Sequence, residues 1–195
     1  NGESSAELLV VDIPIGLLDE PKPGGRECDR AARARLPGRA SSIFSPPTRP
    51  QLQIERWQAG LGISKQTFFL IPKIREVDAA LDPAAQRRIV EGHPELAFAA
   101  RNDGRPLTAS KKGGEGRDAR LQLLARSGLP IDLAQARGRW RRTEVADDDL
   151  LDAWVLVAVA QSIATGHGRR LPTPHPRRNP DPPCDGHGLR QEIWY

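Results

Sequence analysis

The stretch of residues 7–18, ELLVVDIPIGLL, limits what this chain can fold into more than any other. An apolar run ends in Asp12, and Pro14 and Gly16 break the chain directly after it. A short apolar run closed by turn residues predicts a central strand of an α/β sheet. In open α/β sheets, ligands sit outside the carboxyl ends of the strands, and Asp12 stands at that end. A carboxylate there is costly to bury unless it is paired, hydrogen-bonded or bound to a metal. Asp12 therefore either caps the following turn or acts as a metal ligand with partners elsewhere in the chain.

The 195 residues suffice for one domain with a real core, and no second domain or internal repeat is visible. No apolar run approaches the roughly 18 residues of a membrane span, and the short apolar start is not a signal peptide. Two cysteines, Cys28 and Cys184, are too few for a disulfide scaffold, so a reducing cytoplasm is expected. The net charge of +4 is a modest push towards acidic partners such as nucleic acid.

Further along, residues 26–36 predict a helix carrying Arg26, Arg30, Arg33 and Arg35, ended by Pro37 and Gly38. Such a helix is either a solvated charged surface or one that faces phosphates. Residues 40–50 are turn-rich, and 51–60 predict a short helix. Ser64 is an expected N-cap for a helix over 65–81, which Pro72 should kink or divide. Ile89 and Val90 begin a second strand, which runs into Glu91, His93 and Glu95, and a helix or turn is expected from Leu96. Residues 101–117 form a polar loop with Lys111 and Lys112; the glycines follow the lysines, so it is no Walker loop. Helices follow over 117–126 and, irregularly, over 131–142. Residues 143–164 form the strongest helix, apolar nearly all round and so expected to be buried on most sides. Residues 166–186 read as a Pro/Arg-rich surface loop, and the tail GLRQEIWY as an edge strand or a packing site for Trp194.

The acidic residues then need partners. Asp12 ends one strand, and Glu91 and Glu95 flank the end of another. Asp149 and Asp152 are three apart on the last helix and share a face. Capping explains acidic residues in a first helical turn but not Asp152, which lies inside the apolar run. Carboxylates on a buried helix beside strand-end carboxylates suit Mg²⁺ or Mn²⁺, and two such ions about 4 Å apart can clamp the oxygens of a phosphodiester.

Several motifs carry a resemblance. DIPIGL, R-x-C-D-x-x-A-R, SSIF-x-P-P-x-R, SKQ-x-x-x-L-x-P-K-I-x-E-V-D, E-x-HPEL-x-F, DD-x-LDA and GLR-x-EIWY occur in order over residues 12–195. Together they resemble domain-of-unknown-function family 429, described as a predicted RNase H-like nuclease family. The resemblance implies an α/β fold of the RNase H-like (ribonuclease H/resolvase) type, a mixed sheet flanked by helices. The D-x-x-D-A element at 149–153 is similar to the last-helix motif of Holliday-junction resolvases. By that resemblance Asp12, Glu91 or Glu95, Asp149 and Asp152 form the metal-ligand layer. Members of the family usually begin with an Asp-Gly strand and a hairpin ahead of DIPIGL. With no methionine and Asn1 first, this chain is expected to lack that N-terminal part.

The remaining candidates are weaker. His93 shares a side of an extended segment with Glu91 and could act as a general base or phosphate donor, or be structural. Arg26, Arg33, Lys65, Lys73, Lys111, Lys112, Arg117 and Arg120 are the candidate phosphate-binding residues. Cys184 and His187 lack a second pair to complete a zinc site. The reading reached is a metal-dependent nuclease in which Asp12, Glu91, Asp149 and Asp152 hold one or two ions. The alternative is a non-catalytic RNase H-like module that binds nucleic acid or protein. A small-molecule phosphotransferase is disfavoured, because no glycine-rich loop cradles phosphate.

Overall fold

The computed structural model describes residues 8–111, 113–175 and 181–195. The chain runs β1 (Leu9–Val11), α1 (Glu27–Arg35), α2 (Lys65–Ala80), β2 (Ile89–Glu91), α3 (Pro94–Arg101), α4 (Gly114–Arg126), α5 (Leu133–Arg137), α6 (Asp147–Ala164), β3 (Arg170–Leu171) and β4 (Ile193–Trp194). The architecture is of mixed helix and small sheet, loosely α/β. β1 and β2 pair in parallel, with Val11 opposite Glu91, so both strands deliver a carboxylate to the same end. β3 and β4 pair antiparallel, and a single parallel bridge between Gly92 and Trp194 ties this ribbon to β2.

Gly92 is required where it stands. A Cβ there would meet Val10 at 2.4 Å and Leu156 at 2.9 Å, so its absence lets α6 lie against the sheet. Gly16 is needed for a different reason: its φ of +76° is open to glycine at little cost, and it turns the chain after Asp12.

Two of the apolar clusters meet on α3. Leu96 and Ala99 face a cluster with Cys28, Ala32, Leu171 and Ile193. Ala97 and Phe98 face another, with Leu123, Leu124, Leu151, Val155 and Val159. A helix buried on both sides gains from each, at about 1.5–3 kcal/mol per fully buried large apolar side chain.

Arg26 is the largest departure from a solvated or phosphate-facing helix. It is 2% exposed. Its guanidinium reaches Asp29 Oδ1 and Glu91 Oε1, both at 2.7 Å, and gives a third bond to Ile15 O at 2.7 Å. The Ile15 N–H donates back to Glu91 Oε2 at 2.7 Å. This one side chain therefore joins α1, the end of β2 and the turn after β1. Burial pushes the Glu91 carboxyl up, while Arg26 and the Ile15 amide pull it back. Both its oxygens face guanidinium N–H groups, as an ionised carboxylate requires.

Other elements depart from the sequence reading as well. Residues 51–60 hold no α-helix; only Pro50–Gln53 forms a 3-10 turn, because polar and glycine residues follow without an apolar face. α2 runs through Pro72 undivided; the ring is exposed, so water can serve the carbonyl that loses its partner. α6 starts at Asp147 and buries one face only, leaving Trp154 and Val157 exposed. Helix α5 is shorter than expected and is capped by Asp132, which accepts from the Ala134 and Gln135 amides. The segment 166–186 is no simple surface loop. It contains β3, and Asp185 takes bonds from Arg49 at 2.6 Å and the Leu17 amide at 3.0 Å. Residues 176–180 lie outside the described residues.

Arg26→Met should cost about 3–5 kcal/mol of stability, the usual loss when a buried ion pair keeps only one side. Urea unfolding followed by circular dichroism measures it. A variant as stable as the wild type would show that the cluster does not hold these elements together.

Candidate active site

Parallel pairing places Asp12 just past β1 and Glu91 at the end of β2, and His93 N-caps α3, whose first turn carries Glu95. From the other side, α6 brings Asp152, and the loop before α4 brings Lys111. A crevice of roughly 20 Å³, room for about one water, is lined by Asp12, Pro14, Phe44, Glu91 and His93 among others.

The structure separates the predicted carboxylates by role. Glu91 is committed to Arg26 and Ile15. Asp149 is exposed and belongs to the helix start, its Oδ2 accepting from the Ala146 amide at 3.1 Å. It is therefore not on the face that Asp152 uses. Asp148 is: Lys111 Nζ lies 2.9 Å from Asp152 Oδ2 and 3.6 Å from Asp148 Oδ2. The sequence held the signal, since residues 148 and 152 are four apart and closer to one helix face than 149 and 152. Glu95 is buried, and its Oε1 takes Arg120 at 2.6 Å and Arg39 at 3.3 Å.

Three acceptor atoms have no hydrogen-bond partner although buried: His93 Nδ1, Glu95 Oε2 and Asp152 Oδ1. Orphaned buried polar atoms are uncommon and call for an explanation. These all lie around the strand ends, and a bound cation, proton donor or water would satisfy them. Among the described residues, no three acidic, His or Cys side chains stand arranged to grip a metal ion as they are. The donor set instead suits a hard cation held by two carboxylates and completed by water and a phosphate, as Mg²⁺ commonly is. Asp12 and Asp152 are the pair with oxygens to spare.

The electrostatics agree with that pairing. Protein crowds the Asp12 carboxyl and Asp152 adds a like charge, which together push it up to about 7, against the pull of Lys111. Solvent still reaches the side chain, so water offsets part of that rise. Burial raises Asp152 too, and its bond to Lys111 opposes the rise. Burial works against the Lys111 charge, but Asp152 and Asp148 hold its ammonium above the usual range. Burial pushes His93 down and so favours its neutral ring; its Nε2 lies 3.3 Å from Ser42 O.

The predicted phosphate-binding residues divide similarly. Arg26 and Arg120 are buried counter-ions of acidic residues, a correction that follows from the cost of leaving Glu91 or Glu95 unpaired. Arg33 donates to Gly24 O, Ile43 O and Ser45 Oγ, joining the segments before and after α1. Lys65, Lys73 and Arg117 are exposed. Lys112 lies outside the described residues. Cys28 is buried, and its thiol is pushed far up, away from reactive thiolate.

A family model described as "Protein of unknown function (DUF429)" matches residues 1–177. No curated protein and no solved structure matches the chain.

A raised carboxyl pKa binds its proton more tightly in the folded state than in the unfolded one. The stability that Asp12 contributes is complete below its unfolded value of 3.8 and lost as pH rises through about 7. Asp12→Asn should therefore melt at a higher temperature than the wild type at pH 8 and at nearly the same temperature at pH 4. Thermal melts at the two pH values check this, and a variant less stable at pH 8 would contradict it.

Proposed function

The chain belongs to the DUF429 family, and we propose that this member is a metal-dependent nuclease with an RNase H-like fold. The observation that carries the reading is the set of orphaned acceptors, His93 Nδ1, Glu95 Oε2 and Asp152 Oδ1, gathered beside the solvent-reachable Asp12. Asp12 and Asp152 would hold Mg²⁺ or Mn²⁺, with Glu95 adding its unused oxygen. When bound, such an ion supplies Lewis-acid stabilisation of negative charge developing on a phosphodiester.

The protein's own groups supply the rest. Lys111 neutralises Asp152 and Asp148 while the site is empty of substrate and can turn an N–H towards a phosphate oxygen. Neutral His93 can accept a proton from water. Glu91 acts indirectly: locked by Arg26, it holds the Ile15 amide and so fixes the turn that aims Asp12. Glu95 is thus the better ligand of the two glutamates. The excess of positive charge favours a nucleic-acid partner, bound less tightly as salt rises.

A second reading is a non-catalytic module that binds nucleic acid or protein. It is favoured by the lack, among the described residues, of three side chains already arranged for a metal.

Incubation with Mg²⁺ or Mn²⁺ and RNA, DNA, hybrid and branched substrates decides between the two. The nuclease reading expects cleavage abolished by chelator and reduced in Asp152→Asn beyond the roughly 10–100-fold typical of losing an outer-shell partner. Cleavage by Asp152→Asn at the wild-type rate would remove Asp152 from the site. Binding that ignores chelator, with no cleavage of any substrate, would establish the module.

A further inference from the structure

The outer face of α2 is not absorbed by the site described above. Lys65, Phe69 and Lys73 are spaced four apart, so they form one stripe, each step rising about 6 Å along the helix. All three are exposed, Phe69 to 66%. Trp57, 37% exposed, extends the stripe: the Lys65 ammonium lies 5.9 Å from the centre of its ring. Phe69 meets the Phe68 ring edge-on at 5.6 Å, which steadies it without covering it. Neither lysine is tied to a carboxylate among the described residues.

A single exposed aromatic ring needs no explanation. Two rings interleaved with two ammonium groups that no carboxylate meets among the described residues are a different composition. An acidic peptide would satisfy the lysines but leave the rings in water, and an apolar partner would strand the charges. A duplex presents phosphates but keeps its bases stacked inside. Single-stranded nucleic acid offers both parts at once: unstacked bases for Trp57 and Phe69, and phosphates for Lys65 and Lys73. The 12 Å or so between the lysines spans three to four nucleotides at about 3.4 Å per stacked nucleotide. The inner face of the same helix places Phe68, Ile71 and Ile74 in a cluster with Ile13 and Leu17. Those residues belong to the segment that leaves Asp12, so platform and site share a rigid support.

We propose that Trp57, Lys65, Phe69 and Lys73 form a stacking platform for single-stranded nucleic acid, which makes a single strand the substrate class of this protein. The inference rests on the nucleic-acid partner proposed above. It does not rest on cleavage, so binding is measured with metal chelated.

The probe is a fluorescently labelled oligothymidylate of about 12 nucleotides, within the site size of such grooves. Fluorescence anisotropy with the full chain in chelator gives the affinity. Phe69→Ala and Trp57→Ala should each weaken binding roughly fivefold or more, while Phe69→Tyr, which keeps a ring, retains it. Lys65→Gln and Lys73→Gln should each lower the salt dependence by about one counterion. A duplex of matching length should bind more weakly and ignore the loss of either ring. The platform is overturned if the ring variants bind the single strand as the wild type does, if the duplex binds equally tightly, or if the wild type binds no oligonucleotide. Ring-dependent binding without any metal-dependent cleavage supports the platform and removes the nuclease reading. Metal-dependent cleavage untouched by the ring variants does the reverse.

Discussion

A single buried guanidinium holds the working end of this protein together. Arg26 engages Asp29 on its own helix, Glu91 at the end of β2 and the Ile15 carbonyl in the turn after β1. Each partner would be costly to bury alone. An ion pair this deep adds little net stability over an apolar core, because desolvation offsets the attraction. Its value is in geometry. A two-residue mismatch in the parallel register of β1 and β2 would move Glu91 away from Arg26. The pairing that places Asp12 beside the strand ends is thereby the one in which every buried charge is met.

The second constraint is the close approach of helices to a very small sheet. With strands of two or three residues, little backbone pairing exists to define the structure. Packing has to do so instead, and α3 supplies it by burying both of its faces. Gly92 lets α6 lie close enough to bring Asp152 and Asp148 over the strand ends. The polar consequences are then uneven. Some carboxylate oxygens are fully met by arginines, and others on the same side have no partner at all. Native proteins satisfy buried polar groups wherever they can. Donors such as Arg120 Nε and Trp194 Nε1 lack partners as well, so the unevenness extends beyond the carboxylates of the site.

Much of this was legible in the sequence. The stretch of residues 7–18 announced a strand, a terminal carboxylate and a sharp turn, and these are present. But β1 is one of two strands in its sheet among the described residues and leaves Leu9 exposed, so it is not the buried central strand expected. Ser64 was recognisable as a helix cap, and its hydroxyl accepts from the Thr67 amide. The last helix, α6, and the strand at Ile89 were visible from their apolar patterns. Arg26 was not legible as a buried residue. An arginine among other arginines on a charged helix looks solvated, and only the distant Glu91 makes its burial tolerable. The roles of Asp148 and Asp149 were exchanged for a related reason. Three-apart and four-apart spacing both suggest a shared helix face, and the position of Lys111 distinguishes them. Helix lengths over 51–60 and 131–142 were overestimated, because local propensity counts helix formers and not the packing partner a short helix needs.

The sequence by itself determined the local elements and the acidic and basic residue types available to a site, since apolar periodicity, caps and turn residues act within a few positions of one another. It also sufficed to match the DUF429 family model over residues 1–177, because such a model reads strings of residues. Tertiary structure alone decided which charges neutralise each other. Glu91 became a structural anchor, Glu95 and Asp152 kept unsatisfied oxygens, and Lys65 and Lys73 stayed in water. Charges interact through space and through the solvent they lose, and neither distance nor burial can be read from spacing along the chain.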